Sequence, residues 1–319
     1  IFGRANLFGS INIPGAKNAA LPIMACSLLS NKMLHLKNIP KLVDIQMMEK
    51  LLKSLGLKFK KNNRYISLLA NNIENYEADY NLVRKMRASI LVLGPLLARF
   101  KKAKISLPGG CAIGMRPIDI HINGLEKLGA KFSFQNGYVT GTVKNYLKGN
   151  SIILPSISVG ATENIMMAAV LAKGKTKIAN SAKEPEVYDL AMCLNKMGAK
   201  ISGAGTSIIE IEGVNHLNEA EHSIISDRIV AGTFIIVAIM LNKEFIVKKI
   251  CPEHHTKLFE IFYEMGANIN VGKDFIIVKP SHNIKGVNIE TAPYPGFPTD
   301  LQAQMMALMS LVKGNSKIK

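Results

Sequence analysis

The sequence predicts an α/β protein assembled from repeated helix-and-strand units and divided into two domains. Three observations carry that reading. The chain has 319 residues, more than one hydrophobic core usually serves, because single cores tend to split beyond about 250–300 residues. Hydrophobic side chains make up 48% of it and charged ones 20%, a globular balance that excludes collagen, coiled coil and disorder. A pattern of amphipathic helix, glycine turn and two short strands returns about every 70 residues.

Two kinds of segment alternate along the chain. The first is a small-residue-rich apolar helix followed by a basic turn and a strand. It reads KNAALPIMACSLLSNKMLHLKN from Lys17, RASILVLGPLLARFKKAKISL from Arg87, TENIMMAAVLAKGKTKIANS from Thr162, RIVAGTFIIVAIMLNKEFIVKK from Arg228 and DLQAQMMALMSLVKGNSKIK from Asp300. Helices that are apolar nearly all round are expected at the centre of a layered domain. The second kind is an amphipathic helix running into a glycine turn and two strands. It reads MMEKLLKSLGLKFKKNNRYISL, INGLEKLGAKFSFQNGYVTGTV, AMCLNKMGAKISGAGTSIIEIEGV and LFEIFYEMGANINVGKDFIIVKP, with turn glycines Gly56, Gly129, Gly198 and Gly266. A helix C-terminus calls for a residue that tolerates positive φ, which explains those glycines without invoking function. The array stops in mid-repeat and the chain opens on Ile1 rather than Met, so the sequence predicts a chain missing part of its C-terminus and incomplete at its start.

Forty Lys and Arg against twenty-three Asp and Glu give a net charge of +17, which suits nucleic acid, an acidic surface or anionic small molecules as partners. The lysines are scattered through every repeat and no zinc-finger or RRM-type aromatic motif accompanies them, so they read as solvated helix faces rather than a nucleic-acid site. Cys26, Cys111, Cys193 and Cys251 lie far apart with no C-x-x-C pairing. Neither a metal site nor a disulfide framework is indicated, and a reducing, cytoplasmic compartment fits. The most apolar stretch, 229–241, is too short to span a bilayer, and the N-terminus has no signal-peptide layout.

The residues just before each buried helix are unusually polar: Lys17 and Asn18, Arg87, Thr162 and Glu163, Asp227 and Arg228, Thr299 and Asp300. Helix N-termini carry partial positive charge and free N–H groups, so several converging on one cleft favour phosphates. Thr162, Asp227 and Thr299 read equally well as ordinary N-caps. The loop PGGCAIGMRPIDIH, 108–121, carries the strongest chemical signal. Its glycines let backbone approach a ligand, Arg116 adds a fixed cation, and a thiol beside cations has a lowered pKa that makes Cys111 a usable acid or nucleophile. Cys26 and Cys193, among apolar helix residues, read as packing groups.

The segments GAKNAALP, MRASI, LPGGCAIGMRPID, SVGATENIM, EPEVYDLA, SDRIVAGTF and TAPYPGFPTDLQAQ, in this order, closely resemble the UDP-N-acetylglucosamine 1-carboxyvinyltransferases. These are the enolpyruvyl transferases that open peptidoglycan synthesis, and so bear on cell-wall biogenesis, cell shape and division. The likeness spans nearly the whole chain. It implies an inside-out α/β barrel of two domains with three repeats each and the active site in the cleft between them. Residues 17–223 would be the complete domain carrying the Cys111 loop. Residues 1–16 with 224–319 would be a partial second domain carrying Asp300, lacking roughly 100 residues at this period.

The reaction the resemblance implies moves the enolpyruvyl group of phosphoenolpyruvate onto the 3′-hydroxyl of UDP-N-acetylglucosamine and releases phosphate through a tetrahedral adduct, with no redox cofactor and no metal. It needs an acid near C3 of the enol, a base near the sugar hydroxyl and cations around the phosphate. The resemblance makes Cys111 the acid, able also to form a covalent adduct with phosphoenolpyruvate. It makes Asp300 either the base or the group that positions the hydroxyl, and Lys17 and Arg116 the contacts to the phosphate. Asn18 and Arg87 are implied to lie near the sugar nucleotide. Pro117, Ile118, Asp119, Ile120 and His121, with Ser158, Val159 and Gly160, are implied to hold uridine and diphosphate. Glu184, Asp227 and Thr299 fall in the same motifs, Glu184 and Asp227 either touching substrate or fixing neighbouring cations. Val43 and Ser156 stand where many relatives carry basic residues, and Lys41 is a candidate to compensate for Val43.

Two other readings stay open at this level. One is a truncated remnant that at most binds the nucleotide-sugar. The other is the sister transfer of enolpyruvate to shikimate 3-phosphate, against which the cysteine loop and the SVGAT segment argue.

Overall fold

Each turn glycine sits where the chain must leave a helix through positive φ. Gly56, Gly129, Gly198 and Gly266 have φ of 107°, 101°, 100° and 86°, values that side chains with a Cβ rarely adopt. The computed structural model describes residues 8–62, 65–78, 80–83, 86–106 and 118–319. In chain order it shows β1 (Gly9–Asn12), then α1 (Lys17–Cys26), β2 (Met33–Lys37), α2 (Val43–Ser54), β3 (Lys58–Lys61) and β4 (Ile66–Leu69). Next come β5 (Glu77–Ala78), α3 (Tyr80–Val83), α4 (Leu93–Phe100), β6 (Lys102–Ser106), α5 (Asp119–Lys127), β7 (Lys131–Gln135) and β8 (Tyr138–Thr142). The third stretch holds β9 (Ser151–Ile153), α6 (Val159–Ala169), β10 (Lys175–Ala179), α7 (Pro185–Lys196), β11 (Lys200–Ser202), β12 (Ile208–Glu212) and β13 (Ala220–Ser223). The last has α8 (Arg228–Leu241), β14 (Phe245–Lys248), α9 (Thr256–Met265), β15 (Asn268–Val271), β16 (Phe275–Lys279) and α10 (Gln302–Met309). A 3-10 turn, Arg87–Val92, leads into α4, and another, Thr299–Leu301, leads into α10.

Tertiary contacts divide the chain into two units, one of Lys17–Ile225 and one of Ile1–Ala16 with Ser226–Lys319. The 17–225 unit carries three four-stranded sheets, ordered β13-β2-β4-β3, β5-β6-β8-β7 and β9-β10-β12-β11. Each has one parallel pair at its edge and antiparallel pairing elsewhere, as in β9 beside β10 and β10 against β12. In the second and third repeats the edge strand, β5 or β9, arrives from the segment just before. For the first repeat it is β13, the last strand of the unit, which pairs with β2 from Ala220↔Leu34 to Ser223↔Lys37 and closes the set. Helix α6 packs on both α1 and α4, and α1 meets the 3-10 turn that leads into α4. Eight of the ten residues of α1 and nine of the eleven of α6 are buried, as their apolar circumference requires.

Arg99 ties the second repeat to the first. Its Nη1 donates to the carbonyls of Leu28, Ser30 and Ala70 at 2.9, 2.8 and 2.9 Å, and burial lowers its pKa. Cys26 and Cys193 are both buried and act as packing groups; the neighbouring Cys193 and burial push the Cys26 thiol up. Many lysines expected on helix faces lie instead on the outer faces of strands. On β10, Lys175 and Lys177 face solvent while Thr176 and Ile178 are buried, because a sheet covered on one side alternates residue by residue.

The other unit has one sheet, β1-β14-β16-β15, with β1 parallel to β14. Its core gathers Ile235, Ile239, Val247, Phe262, Ile276, Phe297 and Leu301. Helix α10 departs from the expectation of an all-round buried helix. Only Met305 and Leu308 are buried in it, and Met306 is 55% exposed. Helices α8 and α10 pack against each other, which covers only one side of α10.

Candidate active site

Among the described residues, those implied by the resemblance fall at helix starts. In the 17–225 unit, Lys17 is the first residue of α1 and its Nζ lies 3.1 Å from Asp44 Oδ2 in the first turn of α2. Asn18 is exposed beside it, and Arg87 is exposed at the head of its 3-10 turn. Val43, the first residue of α2, is 71% exposed, so the position lacking a cation opens to solvent next to the Lys17–Asp44 pair. Cys111, Arg116 and Pro117 lie outside the described residues. Ile118 precedes α5, which begins with Asp119, Ile120 and His121.

The first turn of α6 is the best-defined part. Ser158 is its N-cap, its side chain accepting the Ala161 N–H at 3.3 Å. Thr162 is therefore not the cap. Its hydroxyl donates to the Ser158 carbonyl at 2.7 Å and accepts the Ala182 N–H at 3.1 Å, which fastens the strand-to-helix connection before α7. Gly160 lies against the His121 ring, where a Cβ would stand 3.2 Å from Cε1. The structure thus brings Ser158, Gly160 and His121 together through the meeting of α5 and α6.

Glu184, the residue before α7, is 8% exposed. It belongs to a buried acidic group with Glu163 and Glu186. Burial, with Glu186 and Glu184 adding repulsion, holds the Glu163 carboxyl well above the usual range. Burial likewise takes His121 down to about 4, Asp119 opposing.

In the other unit, Asp227 caps α8, its Oδ1 accepting the Ile229 and Val230 N–H groups at 2.9 and 3.0 Å. The N-cap reading holds for Asp227. It fails for Thr299, where the residue before the 3-10 turn is Pro298 and no side-chain cap bond forms. Asp300 is exposed in that turn. The turn is anchored by buried Leu301, which packs over Gly232 of α8 so closely that a Cβ there would come within 2.6 Å of Leu301 Cδ1.

Four residues near these positions carry interactions that sequence reading does not assign: Asp44, Glu163, Asn164 and Glu186. A polar residue in an otherwise apolar helix flags Glu163 and Asn164. Nothing comparable flags Asp44, on an exposed helix start. Among the described residues no cluster of three or more His, Cys, Asp or Glu could hold a metal ion, and no helix is long and apolar enough to cross a membrane.

Comparison with known proteins bears on the family and the fold. The UDP-N-acetylglucosamine 1-carboxyvinyltransferase 2 of Carboxydothermus hydrogenoformans is 51% identical over 320 residues, covering 100% of this chain and 76% of the relative. The UDP-N-acetylglucosamine 1-carboxyvinyltransferase of Granulibacter bethesdensis is 48% identical over 321 residues, with the same coverage, 100% and 76%. Among solved structures, the enolpyruvyl transferase NikO from Streptomyces tendae superposes with a TM-score of 0.85 at 19% identity, covering 98% of this chain and 76% of that one. EPSP synthase from Acinetobacter baumannii gives 0.70 at 18% identity, covering 97% and 73%. The fold is that of the enolpyruvyl transferases. A family model described as EPSP synthase (3-phosphoshikimate 1-carboxyvinyltransferase) matches residues 1–319, and the chain belongs to that family of carboxyvinyl-transferring enzymes.

Proposed function

We propose that this chain transfers the enolpyruvyl group of phosphoenolpyruvate to the 3′-hydroxyl of UDP-N-acetylglucosamine, the first committed step of peptidoglycan synthesis, in the cytoplasm. The observation that carries the choice among carboxyvinyl transfers is the identity of about half the residues, across the whole chain, with proteins named for that substrate. The cysteine loop and the SVGAT segment favour it over transfer to shikimate 3-phosphate.

In this reading Cys111 gives a proton to C3 of the enol while the sugar hydroxyl oxygen attacks C2 and passes its proton to Asp300. In the second half the adduct returns a proton from C3, the bond from C2 to the phosphate oxygen breaks, and inorganic phosphate leaves. Lys17 and Arg116 balance the charge gathering on that phosphate. Asp44 holds Lys17 at the start of α1. Asn18 and Arg87 take the sugar end, and the residues 117–121 and 158–160 take uridine and diphosphate. Glu184 and Asp227 orient cations nearby, and Thr299 sets the turn that carries Asp300.

Calorimetric titration with UDP-N-acetylglucosamine and, separately, shikimate 3-phosphate tests the substrate. Saturable binding of the nucleotide-sugar alone is expected. Binding of shikimate 3-phosphate in its place would overturn the reading.

A further inference from the structure

Asn164 is fully buried in α6, between Glu163 and Ile165. Its Oδ1 accepts the Gly94 N–H at 2.6 Å, and its Nδ2 donates to the Ile90 carbonyl at 2.9 Å. A backbone N–H only donates and a carbonyl only accepts, so these two bonds fix which end of the amide is which. The remaining reach of Nδ2 is to His121 Nδ1, 3.1 Å away. An amide N–H can only donate there, so Nδ1 must carry a lone pair and the ring proton must sit on Nε2. An imidazolium would set N–H against N–H. Burial works in the same direction and keeps the ring neutral.

The far edge of the ring lies over the first turn of α6. A Cβ on Gly160 would stand 3.2 Å from Cε1 and 3.6 Å from Nε2. An unconstrained histidine exchanges between two tautomers and a charged form near neutral pH. One whose proton is fixed offers a single donor at a single atom, already oriented, beside the outward-facing N–H groups of a helix start.

We propose that Asn164 is a positioning residue that locks His121 as its neutral Nε2–H tautomer, so that α5 presents an uncharged donor to a diphosphate oxygen of the nucleotide-sugar. The ligand half rests on the function proposed above, and the lock does not. Asn164 ties four elements into one device: the 3-10 turn and α4 through backbone, α6 through its own chain, and α5 through the histidine.

The test is long-range proton–nitrogen correlation NMR on the full chain labelled with nitrogen-15 histidine at pH 7.5. The His121 signals are identified by their loss in His121→Gln. A protonated Nε2 and an unprotonated Nδ1 are expected. In Asn164→Asp a carboxylate still accepts the Gly94 N–H but now also accepts from the ring, so the proton moves to Nδ1. The KM for UDP-N-acetylglucosamine then rises about tenfold, as for one lost hydrogen bond to a charged group, with kcat within about threefold.

A wild-type ring protonated on Nδ1 overturns the lock, whatever the ligand does and whether or not the variant folds. A moved proton with unchanged KM overturns the ligand half, as does an unchanged KM in His121→Phe should the aspartate variant not fold. Absence of any nucleotide-sugar binding by the wild type, with Nε2–H in place, sinks the ligand half through the proposed function and leaves the lock standing.

Discussion

Replacing Arg99 with methionine removes a cation that holds the first two repeats together while keeping the length of the apolar stem. Three carbonyls, on Leu28, Ser30 and Ala70, lose their donor. Leu28 and Ala70 are 0% exposed and Ser30 is 3% exposed. Each acceptor left unsatisfied costs about 1–3 kcal/mol. Nη1 has only two hydrogens for three acceptors, so one of these bonds is shared and weak. The guanidinium also pays to leave water, and that cost disappears with it. The stacking of Arg99 over the Phe100 ring, 4.8 Å from its centroid, is largely kept by the methionine stem. The net loss is about 3 kcal/mol, which for a unit of roughly 150–250 residues lowers the melting temperature by about 6–12 °C. Urea melts followed by circular dichroism measure it, with Arg99→Lys recovering part of the loss. A loss below about 1 kcal/mol would refute the reasoning, because it would mean that water satisfies all three carbonyls at no cost.

Other outcomes follow from the same geometry. Cys111→Ala removes the proposed acid and abolishes turnover while leaving nucleotide-sugar binding in place; a steady-state assay retaining more than about a tenth of wild-type kcat would contradict the role. Asp227→Ala costs about 1–2 kcal/mol through the lost α8 cap, and Asp227→Asn, which keeps an acceptor for Ile229 and Val230, costs far less in a denaturant melt. His255 is pushed down to about 3, first by burial and then by His254 and Arg228. Its folded state resists the proton that the unfolded chain takes up below about pH 6.5, so stability is full above that value and falls as pH drops. The loss is about 2 kcal/mol between pH 6.5 and 5 and continues toward the folded value. Melts of His255→Gln across that range should show a flatter profile.

The repeats were legible in the sequence because glycine at a helix end and an apolar circumference have local causes. Positive φ at Gly198 or burial all round α6 needs no knowledge of the rest of the chain. The edge strands were not legible. Strand β5 has two residues, too few for any alternation to show, and β13 earns its place only by meeting β2 nearly two hundred residues earlier in the chain. The cap of α6 is Ser158 rather than Thr162, the residue the sequence offers for it; both are good capping types. Three-dimensional structure decides it, since Thr162 is already engaged with the Ala182 N–H. The same limit hid Asn164. Its role depends on partners 70, 74 and 43 residues away in sequence, and only the folded backbone fixes the amide. The candidate site was legible through motif likeness rather than through composition, as Asp300 illustrates. It is an exposed aspartate in a turn, ordinary by every local measure.

The central claim is the transfer itself, and the most direct test is phosphate release from phosphoenolpyruvate by the 319-residue chain, with and without UDP-N-acetylglucosamine. The account predicts release that depends on the nucleotide-sugar and yields one enolpyruvyl-UDP-N-acetylglucosamine per phosphate by mass spectrometry. No release with both substrates saturating, or release driven by shikimate 3-phosphate instead, would contradict it.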